Sequence, residues 1–332
     1  MSEQNTPTPD MSEQDADITS SWDAYWRGAR DAAAYTGGGS SHPAVTGFWE
    51  AFFREAAALY EAPLVVDVAS GNGAVTAAAR AEFGEAGRYV CVDVSAAAVR
   101  AIGERYPAVR GVVADARAMP LASGSATLAV SQFGIEYAGP DAFPELLRLV
   151  ADGGRAALLV HREGGGIHRQ CAASRDAMEA IVRARFLPLA HELFEAGFAA
   201  MRGGDRERLR RAGRAFAPAL RSVEELMRRH GQHVADGTVI RLYRDVRTMH
   251  ERMARYEPAD VLGWLQRMDA EVQAYAGRMA SMCEAAIDEE AFRGLCDRAR
   301  ESGFTLLRDD ELTVPETGVP LAWALVAARG ER

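Results

Sequence analysis

A chain of 332 residues, 48% of them apolar, can bury one large core or two modest ones, and its net charge of −9 supplies no global field for nucleic acid. All 38 basic residues are arginine, so a phosphate loop, which needs a lysine, is excluded. Four scattered cysteines (Cys91, Cys171, Cys283 and Cys296) show no CxxC spacing, which argues for reduced, mostly buried thiols and against a metal site. No apolar run approaches the roughly 20 residues that cross a bilayer. The acidic start is unlike a signal peptide, so a cytoplasmic protein with no membrane partner is expected.

Residues 1–19 are polar, acidic and aperiodic, and read as a disordered tail. Ser20 or Ser21 can cap a short helix whose Trp22, Tyr25 and Trp26 form one stripe, either packing residues or a flap hinged at Gly37-Gly38-Gly39-Ser40-Ser41. Pro43 then opens an amphipathic helix with Val45, Phe48, Trp49, Phe52, Phe53, Ala56, Leu59 and Tyr60 on one side. It leads to Leu64-Val65-Val66-Asp67-Val68-Ala69-Ser70-Gly71-Asn72-Gly73 and an alanine-rich helix over 74–83. This is a strand, a tight turn and a helix. Open α/β sheets bind nucleotide-like ligands at such a turn. The dinucleotide pattern fails, because counting from Gly71 its last glycine position is Thr76. Asp67 at the mouth of the turn would repel a pyrophosphate and suits a ligand carrying an ammonium group and a sulfonium.

The stretch Val66–Gly73 resembles the first motif of class I S-adenosylmethionine-dependent methyltransferases, acid-x-Gly-x-Gly-x-Gly, with Ala69 in place of the first glycine. The resemblance implies a Rossmann-like α/β fold with a seven-stranded sheet, and S-adenosyl-L-methionine as cofactor. It places Asp67, Ala69, Ser70, Gly71, Asn72 and Gly73 around that cofactor. A second strand over 88–92 ends at Asp93, 20 residues after Gly73, where a carboxylate can accept both ribose hydroxyls, with Val94 beside it. A helix over 96–106 stops before Pro107, and a strand over 111–113 precedes Ala114-Asp115-Ala116. In the family an acid here holds the adenine amino group, which implies Asp115, with the Ala116 amide at the ring. A strand over 126–131 is followed by Gln132-Phe133-Gly134-Ile135-Glu136-Tyr137. That stretch resembles the fourth motif of the small-molecule branch called type 11 and adds Gln132 to the cofactor set. The Asn/Asp-Pro-Pro-Tyr/Phe motif of amine methylation in nucleic acids is absent, as is a Pro-Cys nucleophile. A helix over 140–150, a stop at Asp152-Gly153-Gly154 and a strand over 155–161 follow. Strands over 304–313 and 321–328 form the terminal hairpin that closes such a sheet.

Between strands five and six lie about 140 residues of helical pattern, read as helices over 168–201, 205–216, 223–234, 239–256 and 258–302. The expected division is therefore a tail (1–19), a cofactor-binding core (20–161 and 304–332) and a helical lid subdomain (162–303). Met249, Met253, Met268, Met279 and Met282 suit an adaptable apolar pocket or ordinary core filling. The expected activity is in-line transfer of a methyl group to an O, N or C atom of a small molecule. Proton transfer is required only if that atom carries a proton. His161 and Tyr137 are the best-placed candidates, as bases or as positioning residues; no metal is expected. Two other readings stay open: a protein or RNA methyltransferase docking through arginine-rich helices such as Arg206–Arg211, and a non-catalytic cofactor-binding protein. The implied partner is a small-molecule methyl acceptor. Nucleic acid is not expected, and the oligomeric state is left open.

Overall fold

A computed structural model describes residues 42–330. The expected tail, the aromatic stripe at Trp22, Tyr25 and Trp26, and the glycine hinge lie outside the described residues. The chain separates into two units, one of residues 42–162 with 287–330, the other Glu163–Ala286.

The first unit begins with α1 (Pro43–Ala57), whose first turn is capped by His42 accepting the Ala44 amide. Then come β1 (Leu64–Val68), α2 (Ala74–Phe83), β2 (Arg88–Asp93), α3 (Ala96–Arg105), β3 (Arg110–Val113), β4 (Ala126–Gln132), α4 (Ala142–Leu149) and β5 (Val150–His161). After the second unit it resumes with α10 (Glu289–Glu301), β6 (Phe304–Thr313) and β7 (Pro320–Arg329). The seven strands lie in the order β3-β2-β1-β4-β5-β7-β6. The first five are parallel, and β7 runs antiparallel to both neighbours. Central strands such as Val65-Val66-Asp67-Val68 are buried on both faces, which is why they read as continuous apolar runs rather than alternating ones. Strand β5 starts five residues earlier than expected, at Val150: the Asp152-Gly153-Gly154 stop signal is absorbed as an irregularity in its pairing with β4.

The second unit holds α5 (Gly166–Arg183), α6 (Phe186–Met201), α7 (Arg206–His230), α8 (Thr238–Glu251) and α9 (Pro258–Ala285), with a core of its own that includes Met178, Phe186, Phe194, Val223 and Leu265. Four expectations are corrected here. The helix expected over 168–201 is broken at Arg185, which takes a left-handed conformation (φ 52°); Pro188 in the first turn of α6 cannot donate to the carbonyl four residues back. The two helices expected around Pro218 are one. Phe216, Ala219, Val223 and Leu226 continue a single buried stripe through the proline, and that packing outweighs the lost hydrogen bond. The helix expected over 239–256 ends earlier, at Glu251, followed by a short 3-10 turn over Met253–Arg255.

The fourth correction concerns residues 258–302, which form two helices. Ile287 between them donates its amide to the His161 carbonyl and accepts from the Trp323 indole, and Asp288 then caps α10 through the Ala291 amide. The far boundary of the insertion thus moves from residue 303 to 286. Phe292, Cys296 and Ala299 of α10 belong to the core of the sheet unit, with Phe292 stacked on Trp323 at 4.6 Å.

Candidate functional site

The switch point of the sheet lies between β1 and β4: the chain leaves β1 toward β2 and β3, then returns to the other side. Ligands of open α/β sheets bind at the carboxyl ends of such strands. The turn there is built from main-chain constraints. Ala69 (φ 53°), Gly71 (φ 51°) and Gly73 (φ 77°) all adopt left-handed conformations. A Cβ on Gly73 would stand 3.2 Å from Ile102 of α3, so glycine suits both the dihedral and the space there.

Gly73 is the N-cap of α2 but has no side chain with which to cap it. Asp67 does so instead: one of its oxygens accepts the Thr76 amide at 3.0 Å and the Thr76 hydroxyl at 2.7 Å. The Asp67 carboxyl is only 2% exposed, and burial raises its pKa to about 7 against the opposing hydrogen bonds of Thr76. One oxygen of Asp67 thus organises the turn, a role the sequence analysis did not assign. The neighbouring Cys91 thiol, 3.0 Å from the Thr76 hydroxyl, is pushed up to about 12 by burial and then by the Asp67 charge.

Asp93, at the end of β2, is 8% exposed. One oxygen accepts the Gly71 amide and the other the Ser95 amide, each at 2.8 Å, and the Val94 amide lies toward the same carboxylate. Burial raises its pKa in spite of these bonds. Each carboxylate oxygen has two lone pairs, so the bonds that hold the turn leave acceptor capacity for hydroxyl groups. Ser70 is tied to the sheet by its amide on the Val92 carbonyl, and Asn72 is half-buried.

Asp115, after β3, is clasped by the Arg117 guanidinium at 2.6 Å and by the Arg117 amide at 2.8 Å. Burial alone would raise its pKa, but Arg117 outweighs that and leaves it lowered. An adenine amino group at Asp115 would share the carboxylate with this pair. Ala116 is buried in the core cluster of the sheet. Gln132 is held by α1, with its carbonyl oxygen 2.5 Å from the Trp49 indole nitrogen. That oxygen anchors the first helix to the end of β4.

The ends of β4 and β5 carry the second half of the site. Phe133 is left-handed (φ 51°), and Gly134 lies so close to Ala69 that a Cβ there would stand 2.6 Å from the Ala69 Cβ and 2.7 Å from its carbonyl oxygen. The two turns are therefore packed main chain to main chain. Immediately beyond, Glu136 accepts both the His161 amide (2.9 Å) and His161 Nδ1 (2.7 Å) on one oxygen, and both side chains are 3% exposed. The Phe133 ring stacks on His161 at 4.6 Å, and the Tyr137 ring meets its edge at 6.0 Å. The structure thus brings His161 and Tyr137 together. It also adds Glu136, which the sequence analysis passed over: its signal was an acid inside an otherwise apolar stretch following a strand end.

Residues 65–154 match the family model described as a methyltransferase domain. With the strand order and the acid at the end of β2, that decides the identity of this unit. It is a class I S-adenosylmethionine-dependent methyltransferase domain. The residues present fit the cofactor: the left-handed turn of Ala69 to Gly73 brings main chain to the N-terminus of α2, and Asp93 retains acceptor capacity at the end of β2.

No curated protein matches the chain. Several solved methyltransferases are similar in structure. A methyltransferase from Aquifex aeolicus is 17% identical over 42% of this chain and 73% of its own, with a TM-score of 0.34. The geranyl diphosphate C-methyltransferase of Streptomyces coelicolor is 18% identical over 46% and 67%, at 0.32. A Methanococcus maripaludis protein assigned as a methyltransferase is 10% identical over 98% and 99%, at 0.39.

Proposed function

We propose that the protein transfers the methyl group of S-adenosyl-L-methionine to a small-molecule acceptor held at the carboxyl ends of β4 and β5. The observation that carries this reading is the packing of Gly134 against Ala69, which sets His161, Glu136 and Tyr137 beside the cofactor turn on one strand edge of one unit. The cofactor supplies an electrophilic methyl group already activated by its sulfonium. The chain's task is orientation, an effect of up to roughly 7–11 kcal/mol in well-aligned systems. Asp93 and the Ala69–Gly73 turn would fix the ribose and methionine end; Asp115 and Ala116 would border the adenine. His161 has its ring orientation set by Glu136 and Phe133, and Tyr137 flanks it, so the acceptor meets rigid groups.

A macromolecular acceptor docked through arginine-rich helices is less well supported. Five of the eight α7 arginines have local acidic partners: Arg208 pairs with Glu195, Arg210 and Arg214 with Glu207, Arg211 with Asp205, and Arg228 with Glu225.

Calorimetric titration with S-adenosylmethionine, its demethylated product and NAD tests the cofactor; tight NAD binding with no methionine-cofactor signal would end this reading. Labelled methyl transfer, compared across the small-molecule, protein and RNA fractions of a cell extract, tests the acceptor class. Label entering only protein or RNA would replace the small-molecule reading.

A further inference from the structure

We infer that Glu136 is a positioning residue that makes His161 a proton acceptor toward a methyl acceptor that carries an O–H or N–H group. This rests on the methyltransferase reading above and deepens it. Two observations carry it.

The first is the fixation of the ring. The His161 amide donates to Glu136, its carbonyl accepts the Ile287 amide, its Nδ1 lies 2.7 Å from the Glu136 oxygen, and Phe133 stacks on its face. A neutral imidazole whose Nδ1 meets a carboxylate carries its proton there, so Nε2 holds the lone pair. The second is the dryness of the pair. At 3% exposure on each side, a positive charge developing on the ring is stabilised by an adjacent carboxylate with little screening.

The step balances as follows. The acceptor's O–H or N–H proton passes to His161 Nε2, and the freed lone pair forms the bond to the methyl carbon. The carbon–sulfur bond breaks with its electron pair on sulfur. The imidazolium faces the Glu136 carboxylate and afterwards returns the proton to solvent. No oxidant or metal is required.

The test uses the full chain loaded with the demethylated cofactor product, with histidine ring nitrogens labelled for magnetic resonance and the His161 signals assigned from His161→Gln. In the parent chain the neutral ring should be protonated at Nδ1. Glu136→Ala should shift the population to the Nε2-protonated form, and Glu136→Gln, which keeps an acceptor oxygen, should restore it. Phenol, aniline and toluene, three probes of one shape, are then titrated. Phenol and aniline should move the His161 signals and bind more tightly than toluene by about tenfold or more, a preference that Glu136→Ala removes. An Nε2-protonated ring in the parent chain, a tautomer indifferent to Glu136→Ala, or toluene binding as well as phenol would each overturn the proposal. Failure of the cofactor product to bind, measured by calorimetry on the same samples, would instead defeat the methyltransferase reading. The tautomer result would stand apart from it.

Discussion

Ala69 stands where the family motif has a glycine, and the chain keeps the glycine's conformation without the glycine. A left-handed alanine costs roughly 1–2 kcal/mol relative to its relaxed form. The neighbouring turn is tailored to it, since Gly134 leaves room for the Ala69 methyl. Ala69→Gly should therefore stabilise the protein by up to about 1 kcal/mol, after subtracting the extra freedom of glycine in the unfolded chain. Gly134→Ala should destabilise it, and adding Ala69→Gly should recover part of the loss, because one of the two close contacts disappears. Thermal unfolding of the two single variants and the double variant measures this. Strictly additive effects would show that the two turns are energetically independent.

Asp67 offers a second test at the same scale. Its folded pKa, about 7, lies above the ordinary carboxyl value, so the native state holds a proton that the unfolded chain releases at lower pH. Its contribution to stability is complete below about pH 4 and is lost as pH rises through 7, by up to about 4 kcal/mol. Asp67→Asn keeps an acceptor for Thr76 and cannot ionise. The parent chain should lose stability relative to this variant between pH 4 and 7 in denaturant titrations. Parallel pH curves would mean that the buried carboxyl stays ionised throughout.

Among the elements, α10 decides where the sheet unit resumes. Its helical pattern is continuous with α9, but its Phe292 and Cys296 face the sheet core, and Arg162 and Ile287 pair as an isolated parallel bridge where the chain leaves and re-enters. Among the described residues, the core cluster that holds Phe292 and Cys296 contains no residue of Glu163–Ala286. Replacing residues 163–286 by a short linker should leave a folded unit that binds the cofactor. Removing residues 165–301 should not, because it strips Phe292, Cys296 and Ala299 from the core. Burying three such side chains contributes several kcal/mol by the usual scale of roughly 1.5–3 kcal/mol for a large apolar residue. Circular dichroism and cofactor calorimetry on both chains distinguish the cases; equal folding of the two would show α10 to be dispensable.

For the whole molecule, charge distribution matters more than net charge. The arginine-rich stretch of α7 looks like a polyanion-binding face in one dimension, yet in three, five of its eight arginines meet Glu195, Glu207, Asp205 and Glu225. Exposed pairs of this kind add little stability, but they weaken the local field. The protein should show no salt-dependent retention on heparin or RNA at physiological ionic strength, measured by column elution or filter binding. Binding that weakens steeply with salt would revive the macromolecular reading.

The amino-acid sequence by itself determined the sheet unit and its cofactor. Local patterns suffice where each element announces its own boundary: β-branched runs, the Gly71 and Gly73 turn, the acid at the end of β2, and the terminal hairpin with its two prolines. Side-chain assignments were less legible, because they depend on partners distant in sequence. Asp67 also organises the turn through Thr76, and Gln132 also holds Trp49, partners that no local pattern announces. The break between α9 and α10, and the pairing of Glu136 with His161 across 25 residues, could not be read from periodicity. Both arise where two strand ends and a returning segment converge. A hydrogen bond formed across such a junction leaves no repeat in the sequence, so only the tertiary structure decided which acid serves which base.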